Sequence, residues 1–137
     1  MKLFFRYWLP ALIFSSFIFY LSSIPQNELP QIDIEGLDKL IHLSLYTILG
    51  FILGRALTAR FRSDVSWIAY RRWLLLAAIL GTAFGITDEW HQHYVPGRAV
   101  EVGDLLMDAL GSFLGAGLVL FYRAWVLDLE KRNDRLA

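Results

Sequence analysis

The chain has 137 residues, of which 56% are hydrophobic and 15% aromatic, an apolar share above that of an ordinary globular domain. Its charged residues, 19% of the chain, cluster between apolar blocks instead of interleaving with them as they would on soluble amphipathic helices. The formal net charge is zero and there is no cysteine; the first gives no reason to expect nucleic acid as a partner, and the second excludes disulfides, zinc–thiolate sites and thiol nucleophiles.

Residues 7–25 carry no charge, a length approaching the roughly 20 apolar residues that a helix needs to cross a bilayer. Lys2 and Arg6 before this block imitate a secretory signal. However, "FYLSSIPQ" places Tyr20 and Leu21 where a cleavage site needs small residues, so the block is read as a retained helix. The next stretch, "IPQNELPQIDIEGLDK", holds two prolines and four acids and reads as an exposed turn.

Two shorter uncharged blocks, Leu40 to Gly54 and Trp73 to Thr87, reach membrane-spanning length only by taking in the polar residues at their ends. That places Asp38, Lys39, Asp88 and Glu89 at or inside the membrane interface. The last block, residues 105–122, contains Asp108 alone. The expected fold is therefore an all-α membrane protein in a single domain, 1–137, with four transmembrane helices over about 4–24, 38–57, 71–91 and 103–123. The segment 124–137 reads as a cytoplasmic continuation of the last helix that frays.

Of the thirteen basic residues, all but Lys39 and Arg98 fall before helix 1, around the helix 2–3 connection (Arg55, Arg60, Arg62, Arg71, Arg72) or after helix 4. Basic residues in short loops favour the cytoplasm, so both termini are expected inside, with Trp67, Tyr70, Trp73 and Trp125 as inner interfacial anchors. This topology gathers the other polar residues near span boundaries at the outer face. Lys39, His42 and Tyr46 share one side of helix 2; Asp88 and Gln92 are i, i+4 on helix 3, as are Asp104 and Asp108 on helix 4. Gly50 and Gly54, Gly81 and Gly85, and Gly111 and Gly115 form G-x-x-x-G pairs along the same stripes. Such pairs let membrane helices approach closely, so helices 2, 3 and 4 are expected to pack through them, with helix 1 more peripheral.

Asp38 and Asp104 stand at helix N-termini, where capping is the ordinary role of a carboxylate. Asp88 and Glu89 stand at a helix C-terminus, where the dipole disfavours acids, so a positive partner is expected; "VPGR" is a turn that can fold Arg98 over this helix end. Six acids, Asp38, Asp88, Glu89, Glu101, Asp104 and Asp108, face only Lys39 and Arg98. Protonated carboxylates, protonated His42, His91 or His93, a bound divalent cation or a cationic ligand each relieve that surplus, and the sequence does not choose among them. His91 and His93, being i, i+2, cannot share a helical face for a metal.

The runs "DKLIHLSLYTILG" and "TDEWHQHYVPGRAVEVGDLLMDALGSFLG" resemble the VanZ-like family of small bacterial integral membrane proteins. The family pattern is D-K-x-x-H and an aromatic, then D-E-x-x-Q, P-G-R, an Asp six residues on, and a polar residue before G-x-x-x-G. The "LSSIP" after helix 1 also fits. Many members carry Asn where this chain has Asp108. The resemblance implies a multi-pass protein of the bacterial inner membrane, whose namesake is associated with low-level resistance to the glycopeptide teicoplanin. By resemblance the motif positions are Asp38, Lys39, His42, Tyr46, Asp88, Glu89, Gln92, Arg98, Asp104 and Asp108.

The reading that follows is an outward-facing site, in contact with membrane lipid, that binds or modifies an envelope component such as a lipid-linked intermediate or a glycopeptide. Asp88, Glu89 and His42 would do acid–base work there. Asp38, Lys39, Tyr46, Gln92, Arg98, Asp104 and Asp108 would hold the ligand, with Lys39 and Arg98 on its anionic groups. The alternative is a non-catalytic structural or partner-binding module. A transporter is less favoured, because polar residues stop about two turns into the membrane.

Overall fold

The computed structural model describes residues 1–30, 34–59, 61 and 66–134, with the backbone alone at 124 and 127–134. Arg60, Arg62 and Arg135, on which part of the charge asymmetry rests, lie outside the described residues, as do three residues of the acidic loop, 31–33.

Among the described residues four α-helices run in chain order: α1 (Leu9–Ser22), α2 (Leu37–Thr58), α3 (Trp67–Gln92) and α4 (Val102–Asp134). The described residues contain no strand. A π-helical turn, Phe4–Trp8, leads into α1, and Pro10 follows directly. Pro10 has no N–H for the carbonyl four residues back and its ring crowds that carbonyl, so a locally widened turn is the natural accommodation. α1 ends ahead of Ile24 and Pro25, since proline disfavours helical backbone in the residue before it. Gly36 enters α2 at φ 76°, a conformation open to glycine at little cost. Ser66 caps α3 by accepting from the Ala69 N–H at 3.3 Å.

Among the described residues three helical segments, Phe4–Ser22, Leu37–Thr58 and Val102–Arg123, are long and apolar enough to cross a membrane. Only 11%, 28% and 33% of their apolar windows are buried within the molecule. Most of that surface needs lipid to cover it, because an exposed apolar mantle of this extent is not tolerated in water. The continuation of helix 4 beyond residue 123 is helical to Asp134.

α2 and α4 form the most extensive contact and α3 packs on both, while α1 lies mainly against α2. At the α2–α4 seam, a Cβ on Gly50 would collide with the Ser112 carbonyl and one on Gly115 with the Thr47 carbonyl. A Cβ on Gly111 would lie 2.6 Å from the Leu43 carbonyl oxygen. On α3, a Cβ at Gly81 would stand 2.5 Å from Ser112 Oγ and one at Gly85 2.8 Å from Asp108 Oδ2. Backbones this close gain dispersion contacts that larger residues would prevent.

Away from the acid-rich end, Arg55 places its guanidinium 4.7 Å from the Tyr122 ring centroid, 5.6 Å from that of Tyr7 and 5.9 Å from that of Phe51. Tyr70, expected as an interfacial anchor, is instead buried, with the Arg123 guanidinium 4.2 Å from its centroid. A ring stacked under a guanidinium within the bundle cannot also face the lipid boundary. Trp67, Trp73 and Trp125 do stand on the surface.

Candidate functional site

The start of α2, the end of α3 and the start of α4 meet at one end of the bundle and carry an ordered series of ionisable groups. At its rim Lys39 Nζ lies 2.9 Å from Asp38 Oδ2, 2.8 Å from Glu101 Oε2 and 3.6 Å from Asp104 Oδ1. The Lys39 side chain passes over Gly103, where a Cβ would lie 2.8 Å from Lys39 Cε. One turn further along α2, His42 Nε2 stands 3.9 Å from Asp104 Oδ2, and Nδ1 stands 2.9 Å from Asp108 Oδ1. Side-chain exposure falls along the series, from 51% at Asp38 through 37% at Lys39 and 14% at His42 to 0% at Asp108.

A second arm centres on Asp88. Its Oδ2 accepts hydrogen bonds from Ser22 Oγ at 2.7 Å, from Tyr46 Oη at 3.4 Å and from Gln92 Nε2 at 3.4 Å. Gln92 also donates to Ser22 Oγ at 3.4 Å. Ser22 belongs to α1, so that helix, peripheral along most of its length, delivers a donor into the centre. Ser23 and His91 add a second link, Oγ to Nε2 at 3.0 Å, with the imidazole stacked on Phe19 at 4.1 Å. Neither serine was singled out by spacing on its own helix. The signal was the "LSSIP" element of the family pattern.

Two expectations are corrected. Arg98 folds back, yet not over the end of α3: its Nε donates to the Ile24 carbonyl at 3.2 Å and its Nη2 to the Leu21 carbonyl at 3.3 Å. It thus caps the C-terminal end of α1, where unpaired carbonyls and the negative end of the dipole attract a cation. Gly97 (φ 78°) makes the turn that aims it there. Asp38 and Asp104 lie in the first turns of α2 and α4; Asp38 also pairs with Lys39, and Asp104 faces Lys39 and His42. No permanent cation bonds to Asp88 or Glu89 among the described residues. Hydroxyl and amide donors serve Asp88, and the Glu101 backbone N–H donates to Glu89 Oε2 at 3.3 Å.

This leaves buried oxygens without a donor. Asp88 Oδ1, Glu89 Oε1, Asp104 Oδ1, Asp108 Oδ2 and Ser112 Oγ are enclosed and have no hydrogen-bond partner among the described residues. A buried polar atom left unpaired costs about 1–3 kcal/mol, more when charged. Four carboxylates in that condition in one small region form an acceptor-rich centre suited to a cation, a proton or a hydrogen-bond-donating ligand.

A membrane-embedded helical bundle with an ionisable centre at one end defines the class of protein. This chain belongs to the VanZ/LLP1 family, whose model matches residues 3–123. No curated protein and no solved structure matches the chain.

Proposed function

We propose that the protein crosses the bacterial inner membrane four times, N-in and C-in, with helices α2 to α4 joined through their G-x-x-x-G faces. Its polar centre then opens to the outer leaflet and binds or modifies a cell-envelope component, such as a lipid-linked intermediate or a glycopeptide of the teicoplanin class. The observation that carries this reading is the graded series from exposed Asp38, Lys39 and Glu101 down to fully buried Asp108, ending in carboxylate oxygens that no donor satisfies. Ionisable groups at membrane depth are costly and mark sites of function. In this reading Asp88, Glu89 and His42 exchange protons with the ligand. Lys39 and the remaining motif residues hold it, and Arg98 acts through the α1 end that carries Ser22.

A purely structural module is favoured by the interhelical bonds Ser22–Asp88 and His42–Asp108, each of which ties two helices together. It leaves the unpaired oxygens unexplained, since a polar network serving only as a lock is most stable when every member is satisfied. The test is teicoplanin susceptibility of a strain expressing the wild type or Glu89→Gln at equal protein levels. A several-fold protection by the wild type that the variant abolishes is expected. Equal protection by both sinks the ligand-modifying role of Glu89.

A further inference from the structure

We propose that His42, Glu89 and Asp104 form a binding site for a single divalent transition-metal ion of the Zn²⁺ or Mn²⁺ type, with Asp108 orienting the imidazole. The inference rests on the reading of this centre as a functional site and names what it holds. One ligand atom from each of the three residues lies within 4.8 Å of the other two. Ligands about 2.1 Å from a tetrahedral metal lie about 3.4 Å apart, so closing the triad from within 4.8 Å needs movement of up to about 1.4 Å.

The chemistry of each donor fits. With Asp108 ionised, its oxygens only accept, and the 2.9 Å contact with Oδ1 places the proton on His42 Nδ1. Nε2 then keeps its lone pair, with Asp104 Oδ2 at 3.9 Å, too distant for a hydrogen bond. A carboxylate holding the far nitrogen of a metal-binding histidine is the usual supporting arrangement at such centres. Glu89 is 3% exposed; one oxygen is held by the Glu101 N–H while Oε1 has no donor. Asp104 is 7% exposed, with Oδ1 turned to the Lys39 ammonium at 3.6 Å and Oδ2 to His42 at 3.9 Å. The buried Glu89 Oε1, without a partner among the described residues, is the independent sign that the acids are arranged around something.

Charge points the same way. A divalent ion offsets two of the three negative charges of Glu89, Asp104 and Asp108, Lys39 being engaged chiefly with Asp38 and Glu101. Asp88 stands apart, supplied by Ser22, Tyr46 and Gln92. The neighbouring triad of Asp38, Glu101 and Asp104 also has ligand-like spacing, but the Lys39 ammonium already occupies it. One imidazole among carboxylates suits Zn²⁺ or Mn²⁺; Ca²⁺ takes about six to eight oxygens, more than this triad supplies. Three protein donors leave a coordination position for an anionic oxygen of a ligand.

The test uses the full chain purified in detergent, stripped with chelator and dialysed against Zn²⁺ or Mn²⁺, with bound metal measured by mass spectrometry. One ion per folded chain is expected. Glu89→Gln and Asp104→Asn should lose it, Asp108→Asn should weaken affinity by about 10–100-fold, and His91→Ala should retain it. Because a variant can fail to fold, the Mn²⁺-loaded wild type is also examined by pulsed electron paramagnetic resonance for coupling to one imidazole nitrogen. A folded wild type that takes up neither metal, or Mn²⁺ bound without nitrogen coupling, overturns the proposal; the former points to protonated His42 bridging Asp104 and Asp108. Drug susceptibility plays no part in this readout. Metal binding can therefore fail while the envelope role stands, and the reverse.

Discussion

His42 Nδ1 and Asp108 Oδ1 meet at 2.9 Å with the carboxylate wholly enclosed, so the histidine is the only described hydrogen-bond donor that Asp108 has. Removing one partner of such a buried pair costs about 3–5 kcal/mol, because a carboxylate is left uncompensated, whereas removing both is close to neutral. His42→Phe should therefore lower stability by several kcal/mol, and His42→Phe with Asp108→Leu should restore most of it. Thermal unfolding in detergent of the wild type, both single variants and the double variant closes the cycle. Additive losses would show that the contact carries no coupling.

The seam glycines divide by what their missing side chain would strike. Gly115→Ala puts a methyl into the Thr47 carbonyl, which is backbone and cannot turn aside, whereas nothing lies within 4 Å of a Cβ on Gly117. The first should lose folded protein or several kcal/mol of stability, and the second should be neutral or stabilise by up to about 1 kcal/mol. Gly85→Ala falls between, its methyl meeting Asp108 Oδ2 at 2.8 Å and Tyr46 Cε1 at 3.2 Å. It should cost about 1–3 kcal/mol. Melting temperatures in one detergent rank the three.

Arg98→Met removes both hydrogen bonds to the Leu21 and Ile24 carbonyls. The end of α1 should loosen and Ser22 should spend less time on Asp88, at a cost of about 1–3 kcal/mol. Hydrogen exchange across residues 19–24 reads this directly: faster exchange there, with α4 unchanged, is expected. Unaltered protection at the α1 end would remove the capping role.

Because the chain has no cysteine, single cysteines report topology without background. Glu28→Cys should react with a membrane-impermeant maleimide on intact cells, and Ala137→Cys only after lysis. The opposite pattern reverses the orientation and turns the ionisable centre toward the cytosol.

Much of this architecture can be read from the chain, because uncharged runs and helical spacing are local signals. The runs at 7–25 and 105–122 locate α1 and the membrane part of α4, and the spacing of Lys39, His42 and Tyr46 puts them on the side of α2 that meets α4 and α3. What periodicity cannot supply is the partner across a helix–helix gap. Ser22 and Asp88 are 66 positions apart, and Arg98 and Leu21 are 77. Arg98 has carboxylates nearer in sequence, but helix-end carbonyls win once the Gly97 turn aims it at α1. Tyr70 fails as a lipid anchor for the same reason, since only the fold brings Arg123 over its ring.

The length of α4 carries a mechanical consequence. At about 1.5 Å per residue, its 33 residues measure about 50 Å, against a hydrocarbon slab of about 30 Å. Eleven of them, 124–134, follow the apolar segment that ends at Arg123, enough for a mast about 16 Å tall. A fluorophore or affinity tag joined behind it would be held off the headgroups at a fixed height, and a tilt of the buried portion would swing that tip through a wider arc than any movement at the opposite leaflet.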